Sequence, residues 1–319
     1  MLLEIKGLKK YFPLKGEGLF RRSDRFHPAV DGVDLTLQEG ETLGLVGESG
    51  SGKSTLARTI LRLIEPTAGE IYFKGTDLLS LPKEEMRKMR QKLQIIFQDP
   101  YASLNPRMTI LDIVAEPLDI HFSLSRDERR ERVVSILQRV GLGAAILNRY
   151  PHEFSGGQRQ RIGIARAMIL HPEMVVADEP VSALDVSVQA QVMELLADLQ
   201  DTFRLSYLFI AHDLSLVESF ADRTAVMYLG KIVELAKSDN LYRNPLHPYT
   251  QELLSAVPIP DPRMRNKRER PGITGKPFAP SCNHAPEEPT QLVEAESGHF
   301  VACHLRPAEL RRRPKEGVN

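Results

Sequence analysis

Short unbroken apolar runs alternate with amphipathic stretches from the start of the chain to about residue 235. Residues 42–46, 93–97, 174–177 and 207–211 have the length and composition of strands covered on both faces. Helical spacing fills the intervals. Residues 126–140 place Val133, Ile136, Leu137 and Val140 at i, i+3, i+4 and i+7, and open on Ser125-x-x-Glu128, a capping-box pattern. Residues 187–199 put Val188, Val192, Leu195, Leu196 and Leu199 on one stripe. Strands alternating with helices predict an α/β fold with a mainly parallel core sheet.

Proline then becomes frequent across residues 244–290, and Arg263, Arg265, Lys267, Arg268 and Arg270 form a basic cluster there. This stretch reads as a linker with a solvated face, leading to a small carboxy-terminal segment. The 42 basic and 42 acidic side chains cancel, so charge supplies no attraction to nucleic acid and none is expected as a partner. Only two cysteines occur, Cys282 and Cys303, which excludes a disulfide-stapled scaffold and fits a reducing compartment. Glu4 and Lys6 interrupt the first residues, so no signal-peptide core is expected there. No window reaches the roughly 18 apolar residues of a membrane span.

Candidate chemistry begins at Gly47-Glu-Ser-Gly-Ser-Gly52-Lys53-Ser54, which fits G-x-x-x-x-G-K-[ST] between a strand pattern and a helix pattern. Glycines let consecutive N–H groups turn inward on phosphate oxygens, and the following helix adds the positive end of its dipole. Gly47, Ser49, Gly50, Ser51, Gly52, Lys53, Ser54 and Thr55 are the candidate ATP-binding residues of this loop. Lys53 can reach the β- and γ-phosphates, and the Ser54 hydroxyl can ligate Mg²⁺. A second apolar run, 174–177, ends in Asp178 and Glu179. Asp178 suits the Mg²⁺-associated carboxylate, and Glu179 can orient or deprotonate the attacking water.

Phe154-Ser155-Gly156-Gly157-Gln158, just before a helical run, forms a second anion cradle. One nucleotide does not need two cradles on one chain, so Ser155, Gly156, Gly157 and Gln158 are expected to close over a nucleotide held by another subunit. Here the chain resembles the ABC transporter ATPases, whose signature is Leu-Ser-Gly-Gly-Gln; Phe154 stands at its first place. The resemblance implies roles for further residues. Gln98 matches the glutamine that touches Mg²⁺ or the water, residues 182–185 match the loop that crosses the dimer interface, and His212 matches the γ-phosphate histidine. Phe12 corresponds to the aromatic that stacks on adenine, with Tyr11 as the alternative.

Residues 98–107, 150–158, 178–187 and 245–250 are similar to the oligopeptide/dipeptide importer branch, in its second-ATPase form, as is the insertion at 13–28 before the second strand. The implied architecture is an ABC ATPase domain over 1–255, with an antiparallel β subdomain and a helical subdomain at about 99–168, followed by a carboxy-terminal extension over 256–319. The implied partners are two membrane permease subunits, a sister or identical ATPase in a head-to-tail dimer, and, indirectly, a periplasmic or lipid-anchored solute-binding protein. The chain is then peripheral, on the cytoplasmic face of the inner membrane, with ATP and Mg²⁺ as cofactors and peptides or related small solutes as cargo. A surface near residues 98–107 is expected to dock the permease. An ABC ATPase acting in a non-transport process is the alternative. The branch often carries four cysteines near its end; two thiolates here cannot complete such a site. His284, His299 or His304 would be needed for a mixed one, and a packed tail with inert thiols is expected instead.

Overall fold

The structure is a computed structural model that describes residues 1–15, 22–256 and 291–302. An antiparallel sheet is made by β1 (Leu3–Lys15), β2 (Arg22–Leu37), β4 (Ala68–Phe73) and β5 (Thr76–Asp77), in the order β2-β1-β4-β5. The described parts of the 13–28 insertion lengthen β1 and β2, with Phe12 opposite His27 and Pro13 opposite Phe26.

The core sheet holds β3 (Thr42–Val46), β6 (Leu93–Ile96), β7 (Met174–Asp178), β8 (Ser206–Ile210) and β9 (Arg223–Tyr228), mutually parallel and ordered β9-β3-β8-β7-β6. All five residues of β3, β7 and β8 are buried, because helices and the other sheet cover both faces. Alternation divides these strands between two cores. Tyr207, Phe209, Val175 and Ala177 face one, while Leu208, Ile210, Met174 and Val176 face the other.

The first core is closed by α3 (Ile110–His121), α4 (Arg126–Arg139), α5 (Gly156–Met168), α6 (Val186–Phe203) and α7 (Leu214–Phe220). Helices α3, α4 and α5 pack against one another. The expected capping box opens α4: Ser125 Oγ accepts from the Glu128 N–H and the Glu128 carboxylate accepts from the Ser125 N–H. Val133, Ile136, Leu137 and Val140 are all buried. Arg129 bridges Asp112 and Asp119 at 3.0 and 2.9 Å, tying α4 to α3. The second core takes α1 (Lys53–Ile60) and, through Met86, α2 (Lys83–Met89).

Residues 244–256 are not linker. After β10 (Lys231–Lys237) and α8 (Ser238–Arg243), the chain turns into α9 (Pro248–Ser255). Pro248 at its first turn removes an N–H that a helix start leaves unpaired. Residues 246–250 are all buried. Then β11 (Val293–Glu296) and β12 (His299–Val301) extend the core sheet beyond β10, with Val301 opposite Glu234. Cys282, Cys303, His284, His304 and the basic cluster lie outside the described residues. His299 lies inside them and is committed to a buried contact with Glu234, Nε2 to Oε1 at 2.7 Å. Among the described residues no helix is long and apolar enough to cross a membrane.

Candidate functional site

The loop between β3 and α1 wraps around a buried lysine. Lys53 Nζ donates to Gly47 O at 2.7 Å and Glu48 O at 2.8 Å, and lies 3.4 Å from Ser51 Oγ. Burial pulls its pKa below the usual lysine value, against the opposing pull of Glu179, Asp178 and Glu48. The loop can close this tightly because of its glycines. At Gly52 (φ 110°) a Cβ would stand 2.1 Å from Ala29 O, which no side chain could do. Gly230 N–H donates to Ser51 O and Asp31 N–H to Gly230 O, fastening the loop to the sheet.

Ser54, in the first turn of α1, donates from Oγ to Asp178 Oδ1 at 2.9 Å. Asp178 is 1% exposed, and its burial raises the carboxyl pKa. Two hard oxygens side by side in a buried setting are the donors that Mg²⁺ takes, so the residues fit that ion.

Parallel register assembles the rest. Ile96 pairs with Ala177 and Asp178 with Ile210, so the residues just past β6, β7 and β8 emerge together at the carboxyl edge of the sheet. That edge is where open parallel sheets bind ligands. Gln98 Nε2 donates to Glu179 Oε2 at 2.7 Å, and His212 Nδ1 lies 3.2 Å from the same oxygen. A carboxylate only accepts, so Nδ1 carries the hydrogen in this contact. Glu179 itself has φ 47°, a left-handed turn rare for a side chain of this kind. Its N–H donates to Ile210 O, and its carbonyl accepts from the Ser182 hydroxyl.

Ser155 caps α5, accepting from Gln158 N–H at 3.4 Å, and Gln158 Oε1 accepts from Ser155 N–H at 3.1 Å. Ser155 and Gln158 are exposed, whereas Phe154 is buried beneath the Arg149 guanidinium, 4.8 Å from its ring centre. The replacement at the first signature position therefore faces the core. Gly157 abuts α6: a Cβ would meet Val188 Cγ1 at 2.4 Å. Asp185 caps α6 by accepting from Val188 N–H, so the signature and the 182–185 loop share one contact.

Tyr11 and Phe12 separate cleanly. The Tyr11 hydroxyl donates to Asp31 Oδ1 at 2.5 Å, and its pKa is pushed up to about 12. Phe12 is exposed, with the Lys10 ammonium 5.1 Å from its ring centre. One contact at the loop lies beyond the motifs: Glu48 N–H donates to Tyr249 Oη at 2.9 Å. The signal available was an aromatic after proline in residues 245–250, which spacing alone does not connect to residue 48. A cleft of about 770 Å³ lies alongside, lined by Gln98, Asp99, Ser103, Glu116 and Arg166 among others.

Residues 30–182 match the family model described as ABC transporter, and residues 233–288 match that of the oligopeptide/dipeptide transporter, C-terminal region. The chain is 56% identical over 319 residues to the oligopeptide transport ATP-binding protein OppF of Escherichia coli (strain K12), covering 95% of this chain and 96% of that one. It is 52% identical over 320 residues to the oligopeptide transport ATP-binding protein AppF of Bacillus subtilis (strain 168), covering 95% and 97%. The dimeric structure of a post-hydrolysis state of the ATP-binding cassette MJ0796, bound to ADP and Pi, is similar at TM-score 0.66 and 30% identity, covering 74% of this chain and 99% of that one.

Proposed function

The chain belongs to the ATP-binding subunits of the oligopeptide/dipeptide ABC transporters, and from that premise we propose how its residues bind and hydrolyse ATP to drive peptide import. The observation that carries the reading is one carboxylate oxygen, Glu179 Oε2, met by both Gln98 and His212 beside the Ser54–Asp178 pair.

The 47–54 loop holds the phosphates, with Lys53 on the β- and γ-phosphates. Ser54 and Asp178, with Gln98, would hold Mg²⁺, which would supply neutralisation of the phosphate charge. Gln98 and His212 orient the Glu179 carboxylate. Glu179 then takes the proton of the attacking water, and the water oxygen forms a bond to the γ-phosphorus as the β–γ bridging bond breaks. Ser155, Gly156, Gly157 and Gln158 of one cassette close over the γ-phosphate of the other in a head-to-tail dimer; that the similar cassette MJ0796 is dimeric supports two cassettes meeting. Phosphate contacts to both halves favour the closed state, and their loss on hydrolysis releases it.

The partner cassette is a sister chain or a second copy, and two permease subunits dock on the helical subdomain. The cleft beside Gln98 has the size and mixed lining to receive a cytoplasmic helix of a permease. The chain then sits on the cytoplasmic face, and a solute-binding protein outside delivers the peptide. The match at residues 233–288 to a transporter region speaks against an ATPase acting outside transport.

Phe12, exposed on β1, takes the adenine. Phe12→Ala is expected to raise the Kd for ATP about tenfold, the scale of one base–aromatic stack, while leaving inorganic triphosphate binding unchanged. Equal losses for both ligands would remove Phe12 from the base site. The transport reading is tested by purifying Glu179→Gln from its host membranes with ATP and Mg²⁺ and identifying the accompanying chains by mass spectrometry. Two polytopic permeases and an ATPase are expected. Ribosomes, DNA-repair proteins or the chain alone would overturn it.

A further inference from the structure

Residues 245–250 take no part in the phosphate chemistry above, yet Leu246, His247, Tyr249 and Thr250 are all buried. Their placement is controlled closely. His247 caps α9 through Nδ1, which accepts from the Tyr249 N–H at 3.1 Å. Burial pushes the His247 pKa down to about 4, so the imidazole keeps the lone pair this cap needs. The cap directs the Tyr249 ring against Tyr228, 4.3 Å between ring centres, and its hydroxyl onto the phosphate loop. There it accepts from Glu48 N–H, the residue whose carbonyl receives Lys53 Nζ.

The turn before α9 is held in its own right. Glu234, fully buried on β10, accepts from Leu246 N–H at 2.7 Å and His247 N–H at 3.0 Å, and meets His299 Nε2 at 2.7 Å. His299 belongs to β12. An unbroken chain of polar contacts therefore runs from the β11–β12 hairpin through Glu234, His247 and Tyr249 to Glu48.

We propose that Tyr249 is a positioning residue of the nucleotide site, presetting the Glu48 turn and thereby Lys53 for phosphate, and that Glu234 ties this function to the β11–β12 hairpin. The proposal rests on the reading of the 47–54 loop as the ATP phosphate site. The physical reason is that a flexible loop must be ordered before its N–H groups converge on an anion, and a buried acceptor on Glu48 supplies that order in advance. Coupling of this kind is reciprocal: what the hairpin does for ATP, ATP does for the hairpin.

The test is ATP–Mg²⁺ binding and steady-state hydrolysis by the full chain. Tyr249→Phe keeps the ring and removes the acceptor oxygen. It is expected to raise Kd and KM for ATP about fivefold, the scale of one net hydrogen bond, with kcat at saturation within about twofold. His299→Leu is expected to raise Kd in the same direction, and His299→Gln, which retains a donor for Glu234, to restore it. Unchanged Kd and KM in Tyr249→Phe, whatever happens to the melting temperature, would overturn the positioning role. An unchanged Kd in a folded His299→Leu would overturn the tie to the hairpin. Where that variant does not fold, amide exchange at Leu246 and His247 decides: ATP is expected to slow it, and no change would overturn the tie. Failure of the unaltered chain to bind ATP at all would instead overturn the phosphate-site reading.

Discussion

Replacing Glu179 with glutamine is expected to slow ATP hydrolysis by about 10²–10⁴-fold, the range carried by a positioned proton acceptor, while ATP remains bound. The argument starts from geometry. Gln98 Nε2 and His212 Nδ1 both meet Oε2 of Glu179, at 2.7 and 3.2 Å. An amide oxygen accepts from the same two groups in nearly the same place, so the side chain keeps its orientation. The left-handed backbone at residue 179 is also kept, because it is held by Ile210 O and Ser182 rather than by the carboxylate. What glutamine lacks is a basic oxygen for the proton of water.

Nucleotide affinity survives because Lys53, Ser54 and Asp178 are untouched. With binding kept and cleavage stalled, the proposed bridging of two chains by the γ-phosphate is expected to persist, so the closed dimer should accumulate. Single-turnover hydrolysis and sedimentation velocity in ATP–Mg²⁺ check both halves. Turnover within a few-fold of the unaltered chain would remove Glu179 from its role. Lost ATP binding would place it among the ligand-holding groups instead.

Much of this site is legible in the amino-acid sequence. A five-residue apolar run such as Thr42–Val46 has no polar face to expose, so its place inside a covered sheet is close to forced, and β3, β7 and β8 are buried throughout. Glycine spacing around Lys53 likewise has few backbone solutions. Convergence on one oxygen is not legible there, because it depends on the pairing of Ile96 with Ala177 and of Asp178 with Ile210, which brings together Gln98 and Glu179 across 81 residues of chain. Local pattern carries no register.

Proline misleads in a specific way. In residues 244–256 it reads as a breaker, yet Pro248 sits where a helix tolerates it, and the turn is stabilised by Glu234, a residue on another strand. The described ends of the 13–28 insertion pair across β1 and β2, Pro13 opposite Phe26, a contact that local pattern does not specify. His299 reads as a spare ligand only while its partner across the sheet, Glu234, is not in view.

Lys53→Ala is expected to raise the Kd for ATP by about 10²–10³-fold, against little change for AMP. The ammonium does two jobs that alanine cannot do. On the proposed reading it carries the charge that meets the β- and γ-phosphates, where two charge-assisted hydrogen bonds are worth about 1.5–3 kcal/mol each. It also pins Gly47 O at 2.7 Å and Glu48 O at 2.8 Å, so its removal loosens the turn that aims the neighbouring N–H groups. The site holds this cation at some expense: it is 5% exposed and its pKa is depressed by burial, with Glu179, Asp178 and Glu48 pulling the other way. Arginine should not substitute, because its planar fork cannot place one compact ammonium on both Gly47 O and Glu48 O. AMP separates the two explanations for a loss of affinity. It has neither phosphate that Lys53 reaches, so its Kd should hold if the damage is local to the cradle. If AMP weakens as much as ATP, the whole nucleotide site has collapsed, and the specific part assigned to Lys53 falls with it.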